Sequence, residues 1–222
     1  MLSVPRMEGV RYVYDFRRTP CGKTKMIGDW WYWNIVSKLK EHSLSIGVAM
    51  EDCVRIIEAI EEVKNVPGDL AEVGVAEGGS ATVICEAKKE KTVHLFDTFE
   101  GLPELGEEDR ASSFIKGQYF AEYLKIKKFF KQYSNVYVYK GVFPNSGEPV
   151  KDNKFSFVHL DADLYKSTYE SIQFFWPRMT QGGIIISHDY QTEPGVKKAF
   201  TDFFGETEIK TPGVSQGLIY KT

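Results

Sequence analysis

The hydrophobic period of this 222-residue chain switches repeatedly between that of a strand and that of a helix after residue 66. Residues 155–160 form a short and mostly apolar run, which is typical of a buried strand, and Tyr165, Tyr169 and Ile172 then recur at helical spacing. Strands that alternate with helices predict a parallel sheet with right-handed crossovers. We therefore expect a doubly wound α/β fold.

The end of the chain predicts a change of strand direction. Its last two predicted strands are joined by only a few residues around Pro212 and Gly213, which favours an antiparallel hairpin at the end of a mostly parallel, seven-stranded sheet. We expect one domain over 1–222, with an N-terminal arm and helix over 1–66 and a Rossmann-like core over 67–222. The predicted strands are 69–75, 91–97, 136–139, 155–160, 184–186, 207–211 and 216–221, and the predicted helices are 46–64, 80–88, 115–133, 165–176 and 194–204.

Composition and charge exclude several classes of protein. Apolar residues make up 42% of the chain and charged residues 27%, which is a globular rather than a disordered balance. The net charge of −3 argues against nucleic acid as a partner, because phosphate contacts need a basic surface. The apolar runs are too short to span a membrane, no signal-peptide pattern is present, and the three cysteines form no CxxC pair. We therefore expect a cytoplasmic protein without a membrane partner, and the sequence leaves a homo-oligomer open.

A glycine-rich turn follows the first predicted strand. Residues 72–80 read EVGVAEGGS, in which Gly74 and Gly78 permit a sharp turn and the next helix offers free N–H groups to an anion. The same turn would also serve as a plain connection without a ligand. Glu72 and Glu77 would repel a pyrophosphate, which disfavours a dinucleotide. The mixture suits a zwitterion with a carboxylate at the helix N-terminus and a sulfonium and an ammonium near Glu72.

Asp97 stands at the end of the second predicted strand, eighteen residues after Gly79. A carboxylate at this point can accept both hydroxyls of a ribose, which indicates an adenosine-type ligand. Alternatively, Asp97 caps the turn from Thr98 to Gly101.

More titratable side chains follow at the ends of the fourth and fifth predicted strands. Asp161 ends the fourth strand, and His188 and Asp189 end the fifth. Because neighbouring parallel strands end at the same edge of a sheet, we expect these three residues to converge and to act on a hydroxyl, as a base or through a metal. We interpret His159 as a buried histidine bonded to a neighbour, and Asp163 as the N-cap of the next helix.

Four segments make the sequence recognisable. They are EVGVAEGGSA, LFDTFEGLP, HLDADLYKSTYES and PRMTQGGIIISHDY. Through them, the chain over roughly residues 67–204 resembles the macrocin O-methyltransferase family of class I S-adenosylmethionine-dependent methyltransferases. The resemblance implies an enzyme that moves a methyl group from S-adenosylmethionine to a hydroxyl of a small molecule, expected to be a sugar or glycosylated metabolite, with a divalent metal that is usually Mg²⁺.

The resemblance also implies roles for cofactor-binding residues. Asp97 would bind the ribose. Acceptor specificity is expected in the N-terminal segment and in 101–133, and the polar segment 101–113 is either a lid or a surface excursion. The other implied cofactor residues are Glu72, Gly74, Gly78 and Ser80 at the methionine end, Thr98 and Phe99 beside the adenosine, and Lys140, Gly141 and Val142 along the adenine.

His188 departs from the family pattern. The metal-binding carboxylates of the family match Asp161 and the pair at 188–189, where two adjacent acids are common. Asp161 and Asp189 would bind Mg²⁺ with water in place of the missing carboxylate, or His188 would shift the preference to a transition metal, or the site would be metal-free with His188 as the base. All three residues are therefore candidate catalytic and metal-binding residues.

Two alternatives to methyl transfer stay open on the sequence. An NAD-dependent oxidoreductase shares the alternating strands and the ribose-binding acid, although Glu72 and Ala76 argue against it. A nucleoside-binding module without catalysis would account for His188.

Overall fold

The computed structural model describes residues 30–205 and 209–222, and its strands form one sheet. Short strands and helices alternate because the apolar runs are long enough to cross the core once and are followed by amphipathic stretches that cover it. The strands are β1 (Asp69–Val73), β2 (Val93–Asp97), β3 (Val136–Lys140), β4 (Phe155–Leu160), β5 (Met179–Ser187) and β6 (Gly217–Tyr220). The helices are α1 (Trp30–Glu41), α2 (Met50–Glu62), α3 (Gly79–Ala87), α4 (Tyr123–Phe130), α5 (Tyr165–Phe175) and α6 (Pro194–Phe204).

The strand order is β3-β2-β1-β4-β5-β6. Neighbouring strands are parallel from β3 to β5, and β6 runs antiparallel to β5, which confirms the doubly wound α/β prediction. In an open parallel sheet, a ligand binds at the carboxyl ends of the two strands between which the strand order reverses. Here these strands are β1 and β4.

The expected strand count of seven is wrong for the described residues, where the sheet has six strands. Residues 206–208 of the predicted strand 207–211 lie outside the described residues. Lys210 forms only an isolated antiparallel bridge with Leu218. In this register Val214 lies at the centre of the turn, and it donates its N–H to the Asp52 carboxylate.

Helices cover both faces of the sheet because successive strand residues point to opposite sides. Leu70 packs with residues of α1–α4, whereas the next residue, Ala71, packs with residues of α5 and α6. In the described part of the chain no helix has the length and apolar character that crossing a membrane requires.

The chain between β2 and α4 departs from its prediction. The helix expected over 115–133 is only Tyr123–Phe130, and Phe120 and Leu124, which helical spacing placed on its buried side, are 67% and 71% exposed. Residues 101–122 instead close on themselves, since Leu102 exchanges backbone hydrogen bonds of 2.8 Å with the carbonyl of Gln118 and the N–H of Gly117. The segment thus returns to its own start beside the end of β2.

Candidate active site

A cavity of about 490 Å³ opens at the carboxyl ends of the parallel strands. Its walls combine the glycine-rich turn after β1, the end of β2 and the residues that follow β4 and β5. Predicted site residues that line it are Gly74, Ser80, Asp97, Thr98, Gly141, Val142, Asp161, His188 and Asp189. Four other predicted residues, Glu72, Gly78, Phe99 and Lys140, lie outside its lining.

Gly74 makes the turn after β1 because its backbone is left-handed, with φ +87°. A Cβ at this position would overlap the backbone carbonyl of Asp161, the residue after β4, so only glycine lets the two strand ends approach. The contact joins the glycine-rich turn to the end of β4, where the catalytic candidate Asp161 follows.

Asp97 braces this turn from the neighbouring strand. Its Oδ2 accepts the backbone N–H groups of Val75 and Ala76 at 2.7 and 2.8 Å, and its Oδ1 accepts that of Phe99 at 2.5 Å. The alternative interpretation of Asp97 as a turn cap is therefore correct in part. The carboxylate also lines the cavity, so its proposed contact with a ribose stays a prediction.

Glu72 is fully buried behind the cavity wall. Its Oε1 lies 2.8 Å from Nδ1 of His159, which is also fully buried, as expected for that histidine. Burial raises the pKa of the Glu72 carboxyl, and the hydrogen bond from His159 partly opposes the shift. Direct binding of the methionine end by Glu72 stays a prediction. In the structure, the partner of the Glu72 carboxyl is His159.

The catalytic candidates converge as predicted. Ligand atoms of Asp161, His188 and Asp189 all lie within 4.8 Å of one another. The Nδ1 atom of His188 lies 3.0 Å from Oδ1 of Asp161 and 3.4 Å from Oδ1 of Asp189. The convergence follows from the parallel register, in which Leu160 of β4 pairs with Ser187 of β5 immediately before these residues.

Asp163 belongs to the same cluster, and its expected role as a helix N-cap is wrong. Leu164 occupies the N-cap of α5, which has no side-chain cap from that position. Asp163 has a left-handed backbone, with φ 60°, and lines the cavity. Burial raises the pKa of its carboxyl well above the usual value, and the charges of Asp161 and Asp189 raise it further.

Asp52 on α2 is a further residue of the site that sequence reasoning missed. Its side chain is 1% exposed, and its Oδ2 lies 3.6 Å from Nε2 of His188. Burial alone would lower the pKa of His188, but the carboxylates of Asp161, Asp189 and Asp52 raise it well above the usual value. The sequence did carry a signal for this role: Asp52 stands four positions before Ile56, so a charged residue lies on the apolar face of an amphipathic helix.

Aromatic residues of 101–122 form the outer wall of the cavity. Phe114, Tyr119 and Phe120 line it, and the rings of Phe114 and Tyr119 meet edge to face with centroids 5.8 Å apart. Burial and the carboxylate of Asp163 raise the pKa of the Tyr119 hydroxyl. Tyr119 therefore lines the same cavity as the acidic cluster, within the region where acceptor specificity was predicted.

Comparison with known proteins agrees with this geometry. The family profile described as Macrocin-O-methyltransferase (TylF) matches residues 45–215. The chain is 25% identical over 181 residues to demethyldecarbamoylnovobiocin O-methyltransferase of Streptomyces niveus, covering 74% of this chain and 68% of the relative. It is 28% identical over 178 residues to 8-demethyl-8-(2,3-dimethoxy-alpha-L-rhamnosyl)-tetracenomycin-C 4'-O-methyltransferase of Streptomyces olivaceus, covering 73% and 66%. The matches thus span about two thirds of these curated relatives.

Solved structures show the same fold. The O-methyltransferase NovP superposes with a TM-score of 0.69 at 25% identity, over 79% of this chain and 81% of NovP. The calicheamicin methyltransferase CalS11 superposes with a TM-score of 0.68 at 17% identity, over 91% and 98%, which supports the fold alone. The family match includes every candidate residue of the cavity and excludes the oxidoreductase alternative. The chain therefore belongs to the macrocin O-methyltransferase (TylF) family and is an S-adenosylmethionine-dependent O-methyltransferase.

Proposed function

We propose that this enzyme methylates a hydroxyl group of a sugar or of a glycosylated small molecule. The observation that carries the proposal is that one cavity contains both the glycine-rich turn and the acidic cluster around His188. Two relatives support the acceptor class, since their names describe methylation within a novobiocin precursor and a rhamnosyl tetracenomycin.

The donor side of the cavity suits S-adenosylmethionine. Ser80 lies in the first turn of α3, where backbone N–H groups without helical partners would bind the carboxylate of the methionine end. Asp97 would accept the ribose hydroxyls, and Gly141 and Val142 line the wall proposed for the adenine. The carboxylates in this cavity would offset the positive charge of the sulfonium. The same carboxylates would repel a pyrophosphate.

The acceptor side must hold a hydroxyl oxygen behind the sulfonium methyl. The oxygen forms a bond to the methyl carbon while the carbon–sulfur bond breaks, so alignment is the main requirement. The hydroxyl proton must leave to a base. We assign Asp163 to this step, since Asp161 and Asp189 each face Nδ1 of His188 within 3.4 Å.

The cluster suits a hard divalent cation. Asp161 and Asp189, with Asp163 beside them, offer carboxylate oxygens, which Mg²⁺ prefers to imidazole. His188 is a poor ligand and a poor base in this geometry, because each of its ring nitrogens faces a carboxylate. Of the three interpretations of the site, we therefore propose the first, in which Asp161 and Asp189 hold Mg²⁺. A bound cation would supply positive charge that favours loss of the acceptor proton.

The test combines calorimetry with turnover. We expect purified protein to bind S-adenosylhomocysteine, and to methylate a hydroxyl in a panel of neutral glycosides with activity that EDTA removes and Mg²⁺ restores. Asp161→Asn and Asp189→Asn should each lower kcat by roughly 100-fold or more, while the exposed Asp152→Asn serves as a control. Absence of S-adenosylhomocysteine binding would overturn the donor assignment, and activity that is indifferent to EDTA would overturn the metal.

A further inference from the structure

Asp52 is a buried carboxylate on a helix that otherwise packs apolar residues into the core. Its Oδ1 accepts the backbone N–H of Val214 at 3.1 Å, and its Oδ2 accepts the Ser215 hydroxyl at 3.0 Å. The same Oδ2 lies 3.6 Å from Nε2 of His188. One side chain of α2 thus contacts both the turn before β6 and the histidine that follows β5.

The His188 ring is held from two opposite sides. Its Nδ1 lies 3.0 Å from Asp161, and its Nε2 faces Asp52. One contact would leave the ring free to swing about that bond, whereas contacts at both nitrogens fix its orientation and hold the Asp161 carboxylate to it. At 3.6 Å the Asp52 carboxylate and Nε2 form an ion-pair contact, so Asp52 orients the ring by charge attraction from the side opposite Asp161.

The segment that follows His188 is hydrogen-bonded to the turn before β6, which in turn contacts Asp52. Gln191 donates its backbone N–H to the carbonyl of Ser215 at 2.8 Å and its side-chain amide to that of Gln216 at 3.0 Å. The Gln216 amide in turn donates to the backbone carbonyl of Asp52 at 3.1 Å. The segment after β5 and the turn before β6 therefore meet at one residue of α2.

A structural role alone does not require a carboxylate here. The groups that Val214 and Ser215 present are neutral donors, which a neutral oxygen would satisfy with a smaller desolvation cost than a buried charge. His188 is the partner that a carboxylate suits better than an amide.

We propose that Asp52 is a positioning residue for methyl transfer, which holds His188 so that Nδ1 stays against Asp161 at the reacting edge of the cavity. The inference rests on the proposed function for the role of Asp161. It adds to the site a residue of α2, a helix that carries none of the four family motifs.

The test compares Asp52→Asn with Ser215→Ala. Asn keeps the size of the side chain and removes its charge, whereas Ser215→Ala removes a hydrogen bond of the same carboxylate and leaves His188 untouched. We expect Asp52→Asn to lower kcat by roughly tenfold or more with KM for S-adenosylmethionine within about threefold. Ser215→Ala should keep kcat within about twofold. It should lower the melting temperature by about as much as Asp52→Asn does.

Two further readouts identify His188 as the intermediary. The ring resonances of ¹⁵N-labelled His188 should shift in Asp52→Asn and not in Ser215→Ala. In a His188→Asn background, Asp52→Asn should cause little further loss of kcat, because contacting residues that act together are not additive. If Asp52→Asn does not fold, Asp52→Ser replaces it in every arm.

Equal kcat in the two variants, unchanged His188 resonances, or additive losses in the double variant would each overturn the proposal. If the wild-type enzyme turns over no acceptor, the proposed function fails separately. The resonances of His188 then decide the role of Asp52 by themselves.

Discussion

The carboxylate of Asp109 accepts the backbone N–H of Tyr165 at 2.8 Å, across 56 residues of sequence. Tyr165 is the first residue of α5, so Asp109 caps that helix from within the segment that walls the cavity. A Cβ at Gly195, near the start of α6, would overlap the same carboxylate, so the segment also packs closely against α6. The segment 101–122, which lines the cavity, is thereby attached to α5 and α6.

We expect Asp109→Ala to lower the free energy of unfolding by about 1–3 kcal/mol, because it leaves a helix N–H without its cap and empties a buried position. Urea denaturation measures the loss, and hydrogen exchange should show faster exchange in 101–122. Glu107→Ala is the matched control, since Glu107 lies in the same turn with an exposed side chain. Equal stability of the two variants would refute the cap.

Gly74→Ala should destabilise the protein far more than Gly205→Ala. Both glycines have left-handed backbones, with φ +87° and +68°, but only at Gly74 does a Cβ overlap the backbone of another strand. We expect a loss of about 1 kcal/mol for Gly205→Ala from backbone strain alone, and about 3 kcal/mol or more for Gly74→Ala. Thermal unfolding of both variants provides the comparison, and similar melting temperatures would contradict it.

Tyr119→Ala should weaken binding of the acceptor without weakening binding of the donor. The ring lines the same cavity as the acidic cluster, where an aromatic face can pack on a sugar. We expect KM for the acceptor to rise by roughly tenfold, with the dissociation constant of S-adenosylhomocysteine unchanged in calorimetry. The control is Tyr137→Ala, because Tyr137 lies on the edge strand β3 and is 52% exposed. An acceptor KM that stays at the wild-type value excludes Tyr119 from the acceptor site.

The buried cysteines should not react in the native state. Burial raises the pKa of the Cys53 thiol to about 12, and it also raises that of Cys85, so neither presents a thiolate at neutral pH. In a Cys21→Ser variant, which removes the cysteine outside the described residues, a thiol-specific disulfide reagent should label nothing until denaturant is added. Both thiols should then react, and rapid labelling of the folded protein would show that one is accessible.

Much of the fold could be predicted because hydrophobic period reports local structure. The strand at 155–160 and the helix at 194–204 have the same bounds in prediction and structure. The helix expected over 115–133 failed for a physical reason. Helical spacing continued into residues such as Phe120, whose segment instead closes on itself through backbone hydrogen bonds between Leu102 and residues 117–118. The helix α1 was not predicted, because its run of aromatic residues has no clear period.

By itself, the sequence determined the parallel sheet, the glycine-rich turn and the convergence of Asp161 with His188 and Asp189, because parallel strands bring consecutive strand ends to one edge whatever the details of packing. Tertiary structure alone decided that Asp52 faces His188 and that Asp109 caps α5. Those contacts join residues far apart in the chain, and such pairings depend on how helices pack over the sheet, which leaves no period or spacing in the sequence to read.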